Sequence, residues 1–544
     1  MKLNAGKTQV MVISSKDNDV AWKPKLHLEG LELEVVREYR FLGVTIDSGL
    51  RFEKHLKNVI EKAKKRIKIL RCLAGKDWGQ NLETQKALYA TYIRSALEYA
   101  APAWYPWLGE TARRRLETIQ NECLRVMTRM ARDSPIDFLR LETGIEPLET
   151  RIDKTCQILW EKYIRLEKED PRRKLTEKTV KQRLKSRFGW RLETAPKMNG
   201  TLNRNTPKMI TNPMMNMKAK IESVELKKSK EKYTLEELAR ETELKISEIN
   251  ADIELFTDGS TSGNQQNGGA GVFAQDNNGN TLLEEHKAAG SICSSYDGEC
   301  VAMLMALDWI EKREEQELHY AIYTDSRSLV SSLETSNWKD THEWLRAIKI
   351  KLDQMTHQLT ICWIPSHCNT YGNDRADALA DSGAKCEQKD APVTCNIAKA
   401  KIKNVKWEVE HDRAKEIFGE RRKPKDIEKS WPMKIRSMFS RLRCDHATQL
   451  KTYRKRIKLD LEDKCMHCDM DAIDNIEHIL CKCPQLEWKR ISLHPEKFTV
   501  SMLTTHPEVC RKLLATRFEQ LSEVCKEVED EGGGSPADCT GSQA

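Results

Sequence analysis

The spacing of apolar residues changes several times along the chain, and each change marks a different kind of structure. Residues 1–48 contain short β-branched and apolar runs at Val10–Ser14 and Phe41–Ile46, with turn residues between them, and this pattern predicts strands. From about residue 53 to residue 165, apolar residues recur at helical spacing with Lys and Arg between them. We therefore expect a helical region after a short β region.

Residues 166–250 lose this regularity. They contain Asn-Gly and Asn-Pro pairs among many Lys and Met residues, which is typical of a linker or a loosely packed connection. One helix is predicted within them, at Thr234–Ile249, because Thr234 is a suitable N-cap and Glu237 stands three residues later, as in a capping box.

Residues 251–385 show a third pattern, in which short apolar runs alternate with helical segments. The predicted strands are Ile253–Thr257, a run from Gly268 to Ala274, Thr281–Ala288, Tyr320–Thr324 and Leu359–Ile364. The predicted helices are Glu299–Lys312, 326–333, 341–355 and Gly372–Gly383. The order of these elements indicates an α/β domain with a mixed five-stranded sheet covered by helices.

The chain as a whole is predicted to be multidomain, since 544 residues correspond to about three to five domains. Residues after 385 are mostly helical and basic, and the end of the chain after Val528 has the composition of a disordered tail. The α/β domain is therefore flanked by mainly α-helical basic regions. The predicted division is 1–48, 49–165, 166–250, 251–385, 386–495 and 496–544.

Composition excludes two classes of protein. No apolar run approaches the roughly 20 residues that a membrane helix needs, so no membrane is expected among the partners. The N-terminal MKLNAGKTQV lacks the apolar core and cleavage site of a signal peptide, and the 17 cysteines form no disulfide framework. We therefore expect reduced thiols in an intracellular protein, in the nucleus or the cytoplasm, that is not secreted.

Charge is unevenly distributed, although the net charge is only +8. Residues 171–220 hold 14 Lys and Arg against 2 acids, residues 252–385 hold 10 against 21, and residues 396–460 hold 20 against 9. A single basic run is as often a solvated face as a binding surface. Two basic blocks on either side of an acidic domain favour nucleic acid as the partner.

Four acidic residues of the α/β domain stand where such a fold brings side chains together. Asp258 and Asp325 end neighbouring predicted strands, Glu299 lies near the start of the long helix, and Asp377 lies in the last helix. Each of them alone is more often a cap, a turn former or a solvated acid. Together they would repel one another unless cations neutralise them, and hard oxygen ligands select Mg²⁺ or Mn²⁺. Two such ions about 3.5–4 Å apart support phosphoryl displacement.

The ordered motifs TDGS, GGAG, GECVA, TDSRSL, WIPSH and GNDRADALA resemble type 1 ribonuclease H over residues 252–385. The resemblance implies that Asp258, Glu299, Asp325 and Asp377 are the family's four catalytic carboxylates. It further implies that they hold two Mg²⁺ ions and that the protein cleaves the RNA strand of an RNA–DNA hybrid.

The same resemblance gives a role to His367, which lies in the WIPSH motif ten residues before Asp377. It matches the family's loop histidine, which assists proton movement or product release, whereas a lone His is more often a surface loop residue. Because the domain is acidic, we expect the basic residues of 171–220 and 396–460 to provide most of the binding to the hybrid.

Residues 1–165 resemble the end of a non-LTR retrotransposon reverse transcriptase. The motifs are LNAGKTQVMVIS, YRFLGVTIDSGLRFEKHL, ALYATYIRSALEYAAPAWYP and IQNECLRVMTR, of which the last two match the helical thumb. The polymerase's paired catalytic Asp residues are expected upstream, and no Asp-Asp pair occurs in the 544 residues, so polymerase activity is not expected. The thumb remains a candidate clamp on a duplex. The alternative is a palm remnant that folds poorly because its sheet lacks partner strands.

A second candidate metal site follows the α/β domain, with spacing Cys-x2-Cys-x9-His-x4-Cys, which suits tetrahedral Zn²⁺. Its residues are Cys465, Cys468, His478 and Cys483. His467 and Cys481 are spare candidates, and the alternative is a set of buried thiols in a helical domain. The retrotransposon resemblance supports zinc, because such elements often carry a Cys-x2-Cys, a His and a Cys-Pro pair near their C-terminus.

These observations favour a ribonuclease H within a retrotransposon polyprotein fragment that hydrolyses RNA in RNA–DNA hybrids. The alternative is a catalytically inactive relic that only binds nucleic acid through its basic segments and zinc site. The complete set of four carboxylates favours the enzyme.

Overall fold

The structure, a computed structural model, divides the chain into two compact units, which are Met1–Asp153 together with Lys406–Ala544, and Lys154–Val405. The predicted disordered tail and most of the basic block 171–220 lie outside the described residues. The described residues are 4–14, 22–75, 79–176, 203–206, 219–226, 228, 232–263, 266–314, 317–335, 342–388, 391–419, 424, 426–493 and 497–521.

The unit Lys154–Val405 is built on one sheet of six strands. In chain order these are β1 (Lys220–Ser223), β2 (Ile253–Thr261), β3 (Gln266–Asp276), β4 (Thr281–Ile292), β5 (His319–Thr324) and β6 (Gln358–Trp363). Their order across the sheet is β4-β3-β2-β5-β6-β1. The strands β4, β3 and β2 are antiparallel neighbours, whereas β2, β5, β6 and β1 run parallel. The predicted mixed α/β sheet is confirmed.

The strand β1 is an addition to the five strands that the sequence predicts. It pairs in parallel with β6, with Lys220 opposite Thr360 and Ser223 opposite Trp363. Its sequence is KIES, which contains a single apolar residue. No pattern of alternating or continuous apolar residues marks so short a strand, and only the pairing with β6 defines it.

Helices cover the sheet, and two of them contact its central antiparallel strands. The helices are α1 (Leu235–Ile249), α2 (Ser295–Glu311), α3 (Arg327–Glu334), α4 (Glu343–Gln354), α5 (Tyr371–Lys385) and α6 (Cys395–Asn404). Both α2 and α5 pack on β2 and β3. The capping box predicted for α1 is confirmed, because the Thr234 hydroxyl accepts the N–H of Glu237 and the Glu237 carboxylate accepts the N–H of Thr234.

The core of this unit fixes the register between β2 and β5. Phe256 and Tyr323 are directly opposite residues of these strands, and their rings stack with centroids 5.0 Å apart. Both rings are buried, and each contributes about 2–3 kcal/mol to the free energy of unfolding through the apolar area it removes from water. This register determines which residues of β2 and β5 lie side by side where the two strands end.

The other unit is mainly helical and joins residues from both ends of the chain. Asp137, for example, accepts the backbone N–H groups of Glu410 and His411 at 2.8 and 2.9 Å. Residues on either side of the α/β domain therefore share one unit, which their separation in sequence does not predict. Its longer helices are Glu53–Leu73, Leu82–Leu88, Glu110–Thr128, Ile136–Thr143, Asp412–Phe418, Met433–Arg443, Lys451–Arg456, Glu487–Leu493 and Pro507–Ala515, and a helix Leu148–Tyr163 begins in it. None of the described helices combines the length and hydropathy that crossing a membrane requires.

The single strand predicted at Phe41–Ile46 is instead parts of two strands, because a hairpin turn interrupts it. Strand Glu38–Phe41 pairs antiparallel with Val44–Asp47. Leu42 and Gly43 form the turn between them, with φ angles of 45° and 86°. Positive φ at both central residues is the geometry of a two-residue hairpin turn, and glycine adopts it without steric cost.

Candidate metal centres

Three of the four predicted carboxylates lie together at one edge of the sheet. In the parallel pair β2 and β5, Thr257 is opposite Thr324, so Asp258 and Asp325 are the next residues of the two strands. Glu299 lies one turn into α2, which packs on β2. Carboxylate oxygens of Asp258, Glu299 and Asp325 all lie within 4.8 Å of one another.

Glycines allow the helix that carries Glu299 to approach the sheet. A Cβ atom at Gly259 would lie 2.1 Å from the backbone nitrogen of Glu299 and 2.4 Å from the carbonyl carbon of Gly298. Any side chain at Gly259 would therefore push α2 away and withdraw the Glu299 carboxylate from the site. In the TDGS motif, the candidate ligand Asp258 is therefore followed directly by Gly259, the glycine that leaves space for α2.

A second close approach brings the helix that carries Asp377 beside Asp258. Asp258 is opposite Gly271 in the antiparallel pair β2 and β3, so both face the same side of the sheet. A Cβ atom at Gly271 would lie 2.3 Å from the carbonyl oxygen of Ala376. The helix α5 can therefore rest on the strand directly opposite Asp258, and Asp377 is the residue after Ala376.

Asp377 belongs to the electrostatic environment of the cluster but not to its tightest group. It is half-buried, and its charge raises the pKa of Asp258. It is outside the group whose oxygens all lie within 4.8 Å of one another. A fifth acid, Asp381, also raises the pKa of Asp258 and accepts a hydrogen bond from the Ser260 hydroxyl. Asp381 is not among the site residues predicted from the sequence, although it lies one helical turn after Asp377.

The cluster is poorly compensated within the protein. Burial, followed by the charges of Asp325 and Asp377, raises the pKa of Asp258 to about 7. Burial, followed by the charges of Asp258 and Asp325, also raises the pKa of Glu299 well above its usual range. The Glu299 Oε2 atom is buried and has no hydrogen-bond partner among the residues that the structure describes. Crowded carboxylate oxygens, of which those of Asp258 and Glu299 belong to buried residues, suit divalent cations such as Mg²⁺ or Mn²⁺, so the residues fit the predicted metals.

His367 lies on the loop between β6 and α5. Its side chain is exposed, and its φ angle is 55°. The next residue, Cys368, is buried and donates its thiol hydrogen to the carbonyl of Pro365 at 3.0 Å, which holds the loop. Among the described residues, no hydrogen bond or ion pair joins His367 to the carboxylates. The structure therefore places His367 on the loop leading to the Asp377 helix, with no described hydrogen bond or ion pair to the cluster.

The four predicted zinc ligands are brought together in the other unit. The ligand atoms of Cys465, Cys468, His478 and Cys483 all lie within 4.8 Å of one another, and Cys468 Sγ is 3.3 Å from His478 Nε2. This spacing is compatible with the roughly 2.0–2.3 Å bonds of tetrahedral Zn²⁺. The spare candidates His467 and Cys481 lie outside this group.

Two backbone structures position these ligands. A short antiparallel bridge pairs Lys464 with Ile473. It closes the loop between these two residues, which carries Cys465 and Cys468. A π-helical turn, His478–Lys482, ends with the N–H of Cys483 donating to the carbonyl of His478 at 2.7 Å. The sequence Cys-Pro at its end stops the turn, because proline has no N–H to continue it.

The surroundings of the ligands favour metal binding in the second site. Burial raises the pKa of the Cys465 thiol, but the backbone N–H of His467 and the Arg517 guanidinium outweigh burial and lower it overall. Arg517 Nη1 lies 3.5 Å from Cys465 Sγ, and its other nitrogen bonds to the buried Asp474. Burial, followed by the charge of Arg517, lowers the pKa of His478 and favours the neutral ring that a metal requires.

Comparison with known proteins connects the α/β domain to one family. A family model described as RNase H matches residues 250–385. Ribonuclease H of Nitrosomonas eutropha is 30% identical over 152 residues, which cover 24% of this chain and 90% of that protein. The crystal structure of LC11-RNase H1 in complex with an RNA/DNA hybrid has 23% identity and a TM-score of 0.22, and the match covers 24% of this chain and 96% of that chain.

Two retrotransposon proteins of Drosophila melanogaster are also similar to the chain. The putative 115 kDa protein in type-1 retrotransposable element R1DM is 24% identical over 148 residues, which cover 27% of this chain. The probable RNA-directed DNA polymerase from transposon BS is 27% identical over 131 residues, which cover 24% of this chain. Each match spans 14% of the retrotransposon protein's length. The predicted resemblance to non-LTR retrotransposon proteins with a ribonuclease H domain is confirmed.

Proposed function

Residues 250–385 of the chain belong to the ribonuclease H family, and from this premise we propose that the chain hydrolyses the RNA strand of RNA–DNA hybrids with the help of two divalent metal ions. The observation that carries the proposal is the group of Asp258, Glu299 and Asp325, whose oxygens all lie within 4.8 Å of one another. The retrotransposon relatives suggest that the hybrid is a product of reverse transcription. Polymerase activity is not part of the proposal.

The carboxylates act by holding charge at fixed positions. Asp258 and Asp325 supply oxygens from the ends of two neighbouring strands and Glu299 from α2. Asp377, which is half-buried, would add a fourth carboxylate from α5. Bound Mg²⁺ or Mn²⁺ would stabilise the negative charge that develops when water displaces a phosphate oxygen in line. Because the pKa of Asp258 is about 7 without metal, this residue would release its remaining proton when cations bind. His367, on its exposed loop, would accept or donate a proton near the leaving product.

The direct test is cleavage of a labelled RNA–DNA hybrid by the full chain in Mg²⁺. We expect the wild type to cut the RNA strand, and we expect Asp325→Asn to lose this activity because it removes one charged ligand from the cluster. Matched double-stranded DNA and the same hybrid in excess chelator serve as controls and should remain intact. Equal cleavage by wild type and Asp325→Asn would refute the proposal. An inactive wild type that still binds the hybrid would support the alternative, a relic that only binds nucleic acid.

We also propose that Cys465, Cys468, His478 and Cys483 hold one structural Zn²⁺ ion. All four positions are filled by protein ligands, so the site leaves no open position for substrate. Its proposed role is to hold the segment around residues 463–483 in place, within a unit whose basic residues are available to contact nucleic acid.

Metal content tests the zinc proposal. We expect the purified chain to contain one equivalent of zinc and Cys483→Ser to contain almost none, because Cys483 is fully buried among the other ligands. The matched control is Cys481→Ser, which changes a cysteine two residues away that lies outside the group and should keep the metal. Elemental analysis after dialysis measures both. Loss of zinc in the Cys481 variant, or its retention in the Cys483 variant, would show that the ligand set is wrong.

A further inference from the structure

Arg327 is a cation next to the carboxylate cluster that does not neutralise it. It is the second residue after Asp325 and the first residue of α3. Its side chain is exposed, and within the described part of the chain its guanidinium has no acidic partner. An arginine so close to several carboxylates would be expected to fold back onto them, because charge-assisted hydrogen bonds of this kind are strong.

The side chain of Trp363 explains why Arg327 remains apart. The guanidinium carbon of Arg327 lies over the Trp363 ring, 5.1 Å from its centroid, which is within cation–π range. Trp363 is itself held, because its indole N–H donates to the carbonyl of Asp325 at 3.1 Å and the ring is nearly buried. The residue that anchors the backbone of Asp325 therefore also supports Arg327 beside the cluster, and the carboxylates remain available to metal.

The acidic charge of the domain indicates what the Arg327 guanidinium could bind. Residues 252–385 hold 10 Lys and Arg against 21 acids, so most of the surface repels a polyanion. Two other cations of the domain are paired with acids, Arg375 with Glu284 and Lys351 with Asp308. A nucleic acid strand bound at the carboxylates needs a positive group nearby, and no acid among the described residues pairs with the Arg327 guanidinium.

We propose that Arg327 binds a backbone phosphate of the nucleic acid strand adjacent to the phosphate that reacts. This inference rests on the proposed function, since the carboxylates define where the strand lies. The supporting ring makes the contact more favourable because the guanidinium is already ordered before the strand binds. A phosphate contact positions the strand without reading its sequence, so Arg327 would increase affinity equally for all hybrids.

The test compares Arg327→Ala with Arg313→Ala. Arg313 is a matched control because it also stacks on a tryptophan, 4.2 Å from the ring centroid of Trp309, but beyond the far end of α2. Glu299 and Glu311 are separated by about 18 Å along that helix. In steady-state cleavage, we expect Arg327→Ala to raise KM about 10-fold with little change in kcat, whereas Arg313→Ala leaves both near wild type. Arg327→Lys, which keeps the charge, should lie between them.

A binding measurement separates this inference from the proposed function. Titration of labelled hybrid at several salt concentrations in chelator needs no cleavage. Removing one phosphate contact should weaken binding about 10-fold and reduce the slope of log affinity against log salt by about 0.7–0.9. If the wild type does not cleave the hybrid but Arg327→Ala still weakens binding in this way, the proposed enzymatic function is refuted and the proposed phosphate contact of Arg327 stands. Unchanged affinity and slope, an equal effect of Arg313→Ala, or an effect that depends on sequence would overturn the proposal for Arg327.

Discussion

Asp258→Asn is expected to abolish hybrid cleavage and to stabilise the metal-free protein. The loss of activity follows from the position of Asp258 beside the other acids, where it would be one of the residues that hold the metal ions. Metal ions supply several kcal/mol of transition-state stabilisation. Losing about 4 kcal/mol of this by removing one charged ligand lowers kcat about 10³-fold, since each 1.4 kcal/mol corresponds to a factor of ten.

The gain in stability follows from the same crowding of charge. The folded pKa of Asp258 is about 7 and its ordinary value is 3.8, so between these values the folded state binds more protons than the unfolded state. Stability therefore falls as pH rises from about 4 to 7, and the cost above pH 7 is on the order of 2–4 kcal/mol. Asparagine has no charge to bury. The variant should lose most of this pH dependence and should unfold at a higher temperature than wild type at pH 8 without metal.

Thermal unfolding from pH 4 to pH 8, in chelator and in Mg²⁺, measures the second effect beside the cleavage assay. In chelator, the difference in Tm between variant and wild type should grow as pH rises. In Mg²⁺ it should shrink or reverse, because only the wild type gains from the ions. A variant that is inactive but less stable than wild type in chelator at pH 8 would contradict this account, because the loss of activity would then reflect damage to the fold.

Sequence patterns predicted the α/β domain well because its elements are long and their apolar residues are periodic. Strands β2 to β6 and helix α2 were all found with small errors at their ends. The predicted first strand stops at Thr257, whereas β2 continues through the first carboxylate to Thr261. The carboxylates themselves were identified because each stands at an element end or in a helix that the topology brings to the same edge of the sheet.

What the sequence did not predict depends on contacts between distant residues. The strand β1 has only its pairing with β6 to define it, and Asp381 is recognisable only once α5 is seen to lie beside β2. The cation–π contact between Arg327 and Trp363 joins two residues whose strands are neighbours in the sheet but are separated by α3 and α4 in the chain. Side-chain partners of this kind cannot be found from periodicity, which reports only which face of an element is buried.

Arg443→Met is expected to destabilise the mainly helical unit by about 3–5 kcal/mol, because it removes the cation that bonds to two buried carboxylates. Arg443 is fully buried and bonds to Glu142 at 2.9 and 3.1 Å and to Glu428 at 2.6 Å. Its guanidinium also donates to the carbonyl of Leu503 at 2.7 Å. Glu142 and Arg443 belong to opposite ends of the chain, so this network joins the predicted thumb to the C-terminal basic region.

Urea unfolding followed by tryptophan fluorescence can measure the loss, because the buried Trp431 packs on Phe439 in the same helix as Arg443. Adding Glu142→Gln and Glu428→Gln to the Arg443 variant should restore part of the stability, since the buried charges are then removed together. The matched control is Arg114→Met, which breaks an exposed ion pair with Glu110 and should change the free energy of unfolding by less than about 0.5 kcal/mol. If Arg443→Met lowers the free energy of unfolding no more than Arg114→Met does, the packing of residues from before and after the α/β domain does not depend on this network. The C-terminal region would then be free to fold as the separate domain that the sequence predicts.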